Sequence, residues 1–357
     1  MTIPRKIGVL TFHRCINYGS YWQARCLIEG LRGMGHEAVL LDHYSPAINR
    51  REWRCALDPL LPTKSSVFDR LQYAVKTRRF LNALEALPRS ARFELDDPSS
   101  LGRWDLVIVG SDEVWNGRHP WYGGHALFYG HGVQAVRLVA YAASFGSQSA
   151  SDYLPSALVE GLRTFSCISV RDANSVAIAA NVLGQRPETV FDPCLLFPPL
   201  LGRPQSSAED PYIAVYGHGF SAGFAQAIRD FAHATGHRLV SIGYRNSWTH
   251  EQFLQADPGD FARVLASATA VVTNFFHGCV FALINKKPFA CETSSYRANK
   301  VTDLLALLSA DAHLITERSN YAQVQSLLQT PLEPEISGRL HSLRARSQRF
   351  LERALEP

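Results

Sequence analysis

One histidine of this 357-residue chain stands where a proton donor can meet an anion. The stretch 268–293, ATAVVTNFFHGCVFALINKKPFACET, has the pattern of a buried strand, a polar turn, a helix opening near His277 and a second strand at 288–291. The first turn of a helix offers backbone N–H groups and the positive end of the helix dipole, and both attract phosphate or carboxylate. His277 is therefore a candidate acid–base residue, and the alternative is a histidine that only caps the turn.

Polar residues follow two predicted strands of the N-terminal half, at 6–12 and 104–110. These candidate binding residues are Asn17, Tyr18, Gly19, Ser111, Asp112 and Glu113. Ligands of open α/β sheets bind at the carboxyl ends of strands, and adjacent carboxylates can orient a sugar hydroxyl or act as a base. The alternatives are a plain loop with Ser20 as the helix N-cap, and an Asx-turn packed over Trp115.

Arg171 ends the predicted strand CISV. A guanidinium at a strand end suits bidentate binding of phosphate or carboxylate. Asp172, the next residue, is expected to cap the following helix. The alternative for Arg171 is a surface salt bridge with that neighbour.

Two cations open a predicted helix in the C-terminal half, Arg297 and Lys300. Cations at a helix N-terminus are unfavourable by ~0.3–1 kcal/mol, and a bound anion would offset that cost. The alternative is that both charges extend into water. A glycine-rich turn at 217–223 matches no phosphate-binding motif, and a turn without a ligand is at least as well supported.

The composition limits the classes of protein to which this chain can belong. Apolar residues make up 46% of the chain, and 36 basic against 32 acidic residues give a net charge of +4. This mild excess does not indicate nucleic-acid binding, but it suits a small anionic substrate or an acidic membrane surface. The chain has no apolar run long enough to span a membrane and no leader pattern. Seven scattered cysteines without metal-ligand spacing predict a reduced cytoplasmic protein with no metal site.

Strand and helix patterns alternate along the chain and pause at a Pro- and Gly-rich segment. This pattern predicts an α/β protein with an N-terminal domain at 1–198, a linker at 199–211, a second domain at 212–332 and a basic helix at 333–357 that packs back on the first domain. We expect two doubly wound, Rossmann-like domains that face each other across a cleft. The basic helix at 67–87 and the tail helix could dock on a membrane, although packed surface helices are the commoner case.

Five segments occur in an order that points to one family. They are VGSDEVWN (109–116), YAASFG (141–146), SVRD (169–172), VFDPCLLF (190–197) and TNFFHGCVFALINKKPF (273–289). Together with the first strand–helix unit, this set resembles the polysaccharide pyruvyl transferase family. No single motif is decisive, but the ordered set covers most of the chain.

The resemblance implies a fold like that of GT-B glycosyltransferases, and transfer of pyruvate from phosphoenolpyruvate to a sugar as a ketal. It makes Arg171 a donor-binding and catalytic arginine, His277 the family histidine and Lys300 a basic residue near the donor. Asn274, Gly278 and Arg297 complete the implied donor site, with no further cofactor.

One departure concerns the residue two before the histidine. Many relatives carry arginine there, whereas this chain has Phe275. The donor's charge must then be met by Lys300, Arg297 or another cation, or the donor differs.

The acceptor expected is a sugar or glycan, free or lipid-linked, in the cytoplasm or at the inner face of the membrane. A nucleotide-sugar glycosyltransferase, a family member altered in its acceptor and a binding protein with a decayed site remain alternatives. Oligomeric state is open.

Overall fold

A computed structural model gives the structure of the protein. It describes residues 4–200, 210–293, 298–316, 319 and 321–356. The predicted linker 199–211 lies almost wholly outside the described residues, as does Arg297. None of the helices within the described ranges is long and apolar enough to cross a membrane.

The chain divides into two compact units that are each assembled from separate stretches. The first unit contains Met1–Glu52, Leu84–Pro199 and His341–Pro357, and the second contains Trp53–Ala83 and Leu200–Leu340. The second unit thus includes residues 53–83, which the sequence pattern assigns to the first domain.

The strands of the described chain are β1 (Lys6–Leu10), β2 (Glu37–Leu40), β3 (His43–Tyr44), β4 (Phe93–Glu94), β5 (Arg103–Val109), β6 (Gln134–Ala143), β7 (Cys167–Val170), β8 (Glu188–Thr189), β9 (Tyr212–Tyr216), β10 (Arg238–Ile242), β11 (Glu251–Phe253), β12 (Ala270–Thr273), β13 (Phe289–Glu292) and β14 (Leu314–Ile315). The α-helices are α1 (Tyr18–Gly33), α2 (Pro46–Leu57), α3 (Val67–Glu85), α4 (Ser156–Arg163), α5 (Ala173–Leu183), α6 (Pro193–Leu196), α7 (Ala222–Thr235), α8 (Pro258–Ser267), α9 (Phe276–Ile284), α10 (Ala298–Leu307), α11 (Tyr321–Gln329) and α12 (Pro334–Leu355).

The first unit is built on a six-stranded sheet in the order β2-β1-β5-β6-β7-β8, in which every pairing is parallel. Its strands are nearly continuous apolar runs because both faces of a parallel sheet are covered. The direction of strand succession reverses between β1 and β5, and a ligand site is expected at the carboxyl ends of these strands. A short parallel pair, β3 and β4, extends this unit.

The second unit has another six-stranded parallel sheet, in the order β11-β10-β9-β12-β13-β14. This is the strand order of dinucleotide-binding sheets, with the reversal between β9 and β12. The prediction of two doubly wound α/β domains is confirmed. The expectation that Asp172 caps the following helix is confirmed, because its carboxylate accepts a 2.7 Å bond from Ser175 N–H at the start of α5.

The tail helix α12 buries its apolar side. Ile336, Leu340, Phe350 and Leu351 are all buried. In the first unit, the Ser347 hydroxyl accepts a 2.8 Å hydrogen bond from the backbone N–H of Phe191, which lies in another segment of the same unit. These contacts make α12 a packed structural helix.

Candidate functional site

Arg171 lies at the carboxyl end of β7 and is held between two aspartates. Its guanidinium donates to Asp192 at 3.1 Å and to Asp112 at 3.2 Å, and its side chain is only 3% exposed. Burial lowers the pKa of Arg171, but the carboxylates of Asp112, Asp192 and Asp172 outweigh that effect and raise the pKa above its ordinary value. Arg171 is therefore a buried ion-pair centre, which differs from both a surface salt bridge and an arginine open to a ligand.

Asp112 links three elements of the first unit. Besides Arg171, its carboxylate accepts a 2.8 Å bond from the Ser20 hydroxyl on α1 and a 2.9 Å bond from the backbone N–H of Glu113. Asp112 has a φ of 76°, a left-handed conformation that few non-glycine residues adopt and that often occurs at functional sites. The strained backbone directs its carboxylate toward the reversal point between β1 and β5.

The alternative in which Ser20 caps α1 does not hold. Asn17 is the N-cap, and its side-chain oxygen accepts from the N–H groups of Gly19 at 2.8 Å and Ser20 at 3.2 Å. An asparagine oxygen can reach two free N–H groups here, which leaves the Ser20 hydroxyl available to Asp112.

Two further predicted binding residues of this unit are buried. Tyr18 is 1% exposed, and Ser111 is fully buried with its hydroxyl 3.4 Å from Asp192. The carbonyl of Ser111 accepts a 2.8 Å bond from the Thr11 hydroxyl. These contacts give Ser111 a part in holding the ends of β1 and β5 together.

A cavity of about 170 Å³ opens at this reversal point. Its lining includes the predicted residues Asn17, Asp112 and Glu113. The lining side chains that sequence reasoning missed are Phe12, Cys15, Glu52, His119 and Trp121. Two features of the sequence could have indicated these lining residues. Phe12 and Cys15 follow β1, and the segment HPWY (119–122) lies close after GSDEVWN (110–116).

Glu52 is the most unusual acid of the cavity. Its carboxylate accepts a 3.1 Å bond from the Trp121 indole and a 3.2 Å bond from the backbone N–H of Ile16. Burial raises the pKa of Glu52, although the hydrogen bonds from Cys15, Ile16 and Trp121 oppose this. Burial has the opposite effect on His119, whose pKa it lowers. The cavity thus combines carboxylate acceptors, a carboxyl group with base character and an aromatic wall, which suits an uncharged hydroxylated ligand.

In the second unit, His277 lies in the first turn of α9, directly after β12. Phe275 is the N-cap and makes no side-chain capping bond, so the helix terminus is not capped by its own N-cap residue. The Thr273 hydroxyl accepts from Phe275 N–H at 3.0 Å and donates to the Tyr216 carbonyl at 2.6 Å. This bond pair fixes the start of α9 to the end of β9.

Gly278 is required by packing. A Cβ at this position would lie 2.0 Å from Thr273 Oγ1, so a side chain there would displace the end of β12. Asn274 is 2% exposed, and its side-chain N–H donates a 2.8 Å bond to the carbonyl of His218. Of these two residues, both predicted as donor-binding, Asn274 connects the turn after β12 to the loop after β9, and Gly278 packs α9 against the end of β12.

Phe275 belongs to an aromatic cluster. Its ring centroid lies 4.9 Å from that of Tyr216, 5.2 Å from Tyr244 and 5.5 Å from His218. The phenyl ring is therefore part of the packing around the reversal point between β9 and β12.

Lys300 lies in the first turn of α10.

Comparisons with solved structures agree with this architecture. The UDP-GlcNAc 2-epimerase from Methanocaldococcus jannaschii matches with a TM-score of 0.51 at 11% identity, over 97% of this chain and 99% of that one. The S. aureus MnaA structure with UDP matches with a TM-score of 0.50 at 13% identity, over 98% and 95%. A glycotransferase of kitacinnamycin matches with a TM-score of 0.48 at 13% identity, over 100% of both chains. At such identities the likeness to the first two structures concerns the fold alone, which is GT-B-like.

The sequence comparisons identify the family. No curated protein matches the chain in sequence. The family model described as polysaccharide pyruvyl transferase matches residues 17–296, which include Asp112, Arg171 and His277. The chain belongs to the polysaccharide pyruvyl transferase family.

Proposed function

We propose that the protein transfers the pyruvyl group of phosphoenolpyruvate to a sugar or glycan acceptor and forms a pyruvate ketal. The product would belong to an exopolysaccharide or another cell-surface glycan. The observation that carries the proposal is the placement of His277 in the first turn of α9, at the reversal point of the second sheet, in a chain of this family. None of the seven cysteines, all within the described residues, forms a disulfide, which fits the cytoplasm as the compartment.

The donor carries a phosphate and a carboxylate, so its site must supply donors for two anionic groups. The N–H groups at the start of α9, together with Lys300, are our candidates for one of them. His277 gives a proton to the methylene carbon of the donor, which becomes a methyl group and leaves C2 electrophilic. A sugar hydroxyl adds to C2, and the proton it loses restores the one that His277 gave. A second hydroxyl of the same sugar then displaces phosphate, which leaves with the proton of that second hydroxyl. A positioned proton donor of this kind contributes ~10²–10⁴-fold in rate.

The acceptor hydroxyls need proton acceptors, and we assign these to the cavity at the end of β1 and β5. Asp112 and Glu113 would orient the sugar by accepting from its hydroxyls. Glu52 has a pKa above its ordinary value because of burial, which moves it toward the range of an effective general base. Arg171 keeps Asp112 charged and in position through their ion pair.

A direct assay tests the proposal. The full chain is incubated with phosphoenolpyruvate and a panel of sugars, nucleotide sugars and lipid-linked glycans, and products are weighed by mass spectrometry. A ketal adds the mass of pyruvate minus water, with one phosphate released per product. Phosphate release without a product, or no reaction with any acceptor class, would count against the proposal.

A nucleotide-sugar glycosyltransferase is the second candidate. The solved relative in complex with UDP supports it, as does the glycine-rich turn after β9, where Gly217 lies against Asn274. Titration with UDP-sugars and with phosphoenolpyruvate separates the two functions. A pyruvyl transferase should bind phosphoenolpyruvate tightly and UDP-sugars weakly, and a nucleotide-sugar glycosyltransferase should show the opposite preference. A family member altered at Phe275 would bind phosphoenolpyruvate without turnover of common acceptors.

A further inference from the structure

Helix α3 presents two unlike faces. One face packs within the second unit: Tyr73 is 1% exposed and its hydroxyl accepts from Arg245 N–H, while the buried Lys76 donates a 2.9 Å bond to the Gly243 carbonyl. The Asp69 carboxylate accepts a 2.6 Å bond from Arg245. These contacts hold the helix firmly and determine which side faces outward.

The outward side of α3 is apolar. Val67, Phe68, Leu71 and Val75 are 77%, 65%, 64% and 44% exposed. Their spacing of three, four and seven or eight residues places them on one side of the helix. We call these four residues the α3 apolar face. Exposed apolar side chains grouped in this way mark an interaction surface more often than scattered ones do.

The stretch of the second unit that carries this face is basic. Residues 53–83 contain six Lys or Arg and two Asp or Glu, a net charge of +4, whereas the rest of the chain has 30 basic and 30 acidic residues, a net charge of zero. The exposed cations of this stretch are Arg54, Lys64 and Arg78. Arg78 lies seven residues beyond Leu71 and therefore continues the same side of the helix.

We propose that the α3 apolar face docks on a bilayer surface that contains anionic lipid. Phe68 and Leu71 would enter the boundary between headgroups and acyl chains, while Lys64 and Arg78 would contact lipid phosphates. A second copy of the chain is a poorer occupant, because pairing two such faces would bring two stretches of net charge +4 together. The proposal does not depend on pyruvyl transfer.

The tail helix offers a contrast that strengthens the assignment. Both helices are basic in sequence, but α12 buries Ile336, Leu340, Phe350 and Leu351 against the protein. α3 instead leaves its outward apolar residues in solvent after its other face has packed. We therefore assign lipid binding to α3 and a structural role to α12.

The test is cosedimentation of the full chain with vesicles. The protein should pellet with vesicles of equal parts phosphatidylglycerol and phosphatidylcholine, bind pure phosphatidylcholine much more weakly, and release as salt is added. A Phe68→Ser, Leu71→Ser variant should bind about tenfold or more weakly, because two apolar side chains no longer leave water. The matched control, Tyr153→Ser with Val136→Ser, alters two exposed apolar residues of the first unit and should bind like the original protein.

Charge is tested in the same assay. Lys64→Glu with Arg78→Glu should weaken binding by at least about fivefold per site, from roughly 1 kcal/mol per basic residue near an anionic surface. Arg186→Glu, an exposed position of the first unit, serves as the charge control. Thermal melts verify that each variant is folded.

Three outcomes would overturn the proposal. They are no pelleting with anionic vesicles, equal pelleting of the Phe68→Ser, Leu71→Ser variant, and a dimer in analytical ultracentrifugation that this variant abolishes while vesicles stay unbound. The last result would assign the face to a second copy. Ketal formation on a water-soluble acceptor should be unchanged in the variant, so failure of the docking proposal and failure of the proposed reaction give different results.

Discussion

The Ser20 hydroxyl donates a 2.8 Å hydrogen bond to the carboxylate of Asp112 and thereby joins the first turn of α1 to the loop after β5. Asp112 is also bonded to Arg171, so the bond to Ser20 selects the orientation of the carboxylate beside the cavity. Replacement of Ser20 by Ala should lower the free energy of unfolding by ~0.5–1.5 kcal/mol and raise the acceptor KM more than it lowers kcat. Chemical denaturation and steady-state kinetics measure the two effects. Ser20→Thr keeps the hydroxyl and is the control, and a KM that stays constant in Ser20→Ala would remove this bond from acceptor binding.

His277 is assigned proton transfer. His277→Ala should reduce kcat by ~10²–10⁴-fold while the melting temperature stays near that of the original protein. His233→Ala, at an exposed position of α7, is the matched control and should keep full activity. Near-normal turnover in His277→Ala would place the proton donor elsewhere.

Substitution of Arg171 distinguishes a structural role from a donor-binding role. Its replacement by Ala removes the cation shared by Asp112 and Asp192 and should lower the free energy of unfolding by ~3–5 kcal/mol. Urea denaturation of Arg171→Ala beside Arg171→Lys measures this, because lysine restores the charge without the two-pronged geometry. A variant of normal stability with a raised KM for phosphoenolpyruvate would instead establish the donor-binding role that family resemblance implies.

Lys76 should make stability depend on pH. Burial lowers its pKa from 10.5 to about 7 in the folded protein, so between these values the unfolded chain binds more protons than the folded one. The free energy of unfolding therefore gains a contribution from Lys76 that rises with pH across this range. Lys76→Met should remove the rise and stabilise the protein most near and below pH 7.

Denaturation of the Lys76→Met variant and the original protein across that pH range tests the prediction. Their difference isolates the lysine from other groups, such as Tyr73, whose pKa burial raises to about 12. The exposed Lys64→Met change is the control and should leave the pH profile unaltered. A constant difference between Lys76→Met and the original protein at all pH values would mean that Lys76 stays charged when buried.

Much of the fold could be predicted because parallel strands are long apolar runs with helices between them. The helix at 173–183 and its Asp172 cap have local signals on both sides, since Gly184 follows as the C-cap. The edge strands β8 and β14 have two residues each and no periodicity to detect. The helix α2, with four arginine or glutamate residues in its middle and few apolar ones, gives no core-facing stripe.

Residues of the candidate site were predictable from the sequence only where they follow the ends of strands. Asp112, Arg171 and His277 all lie within four residues of a strand end in one of the two sheets. Asp192 was missed as a partner of Arg171 because an aspartate before proline has the signature of a helix cap, and it does cap α6. Glu52 lies on α2, and its contact with Trp121 joins residues 69 positions apart, which no local pattern encodes.

The division of each unit into separate stretches has a consequence for biosynthesis. Helix α3 leaves the ribosome more than a hundred residues before β9–β14, the sheet of its own unit, has been translated. Until then Tyr73, which is buried in the finished protein, lacks its hydrogen-bond partner, the backbone N–H of Arg245. The first unit waits longer still, because Phe191 gains its bond to Ser347 only when residues 341–357 have been added. We therefore expect nascent chains of intermediate length to depend on chaperones, and neither unit to fold from one contiguous fragment.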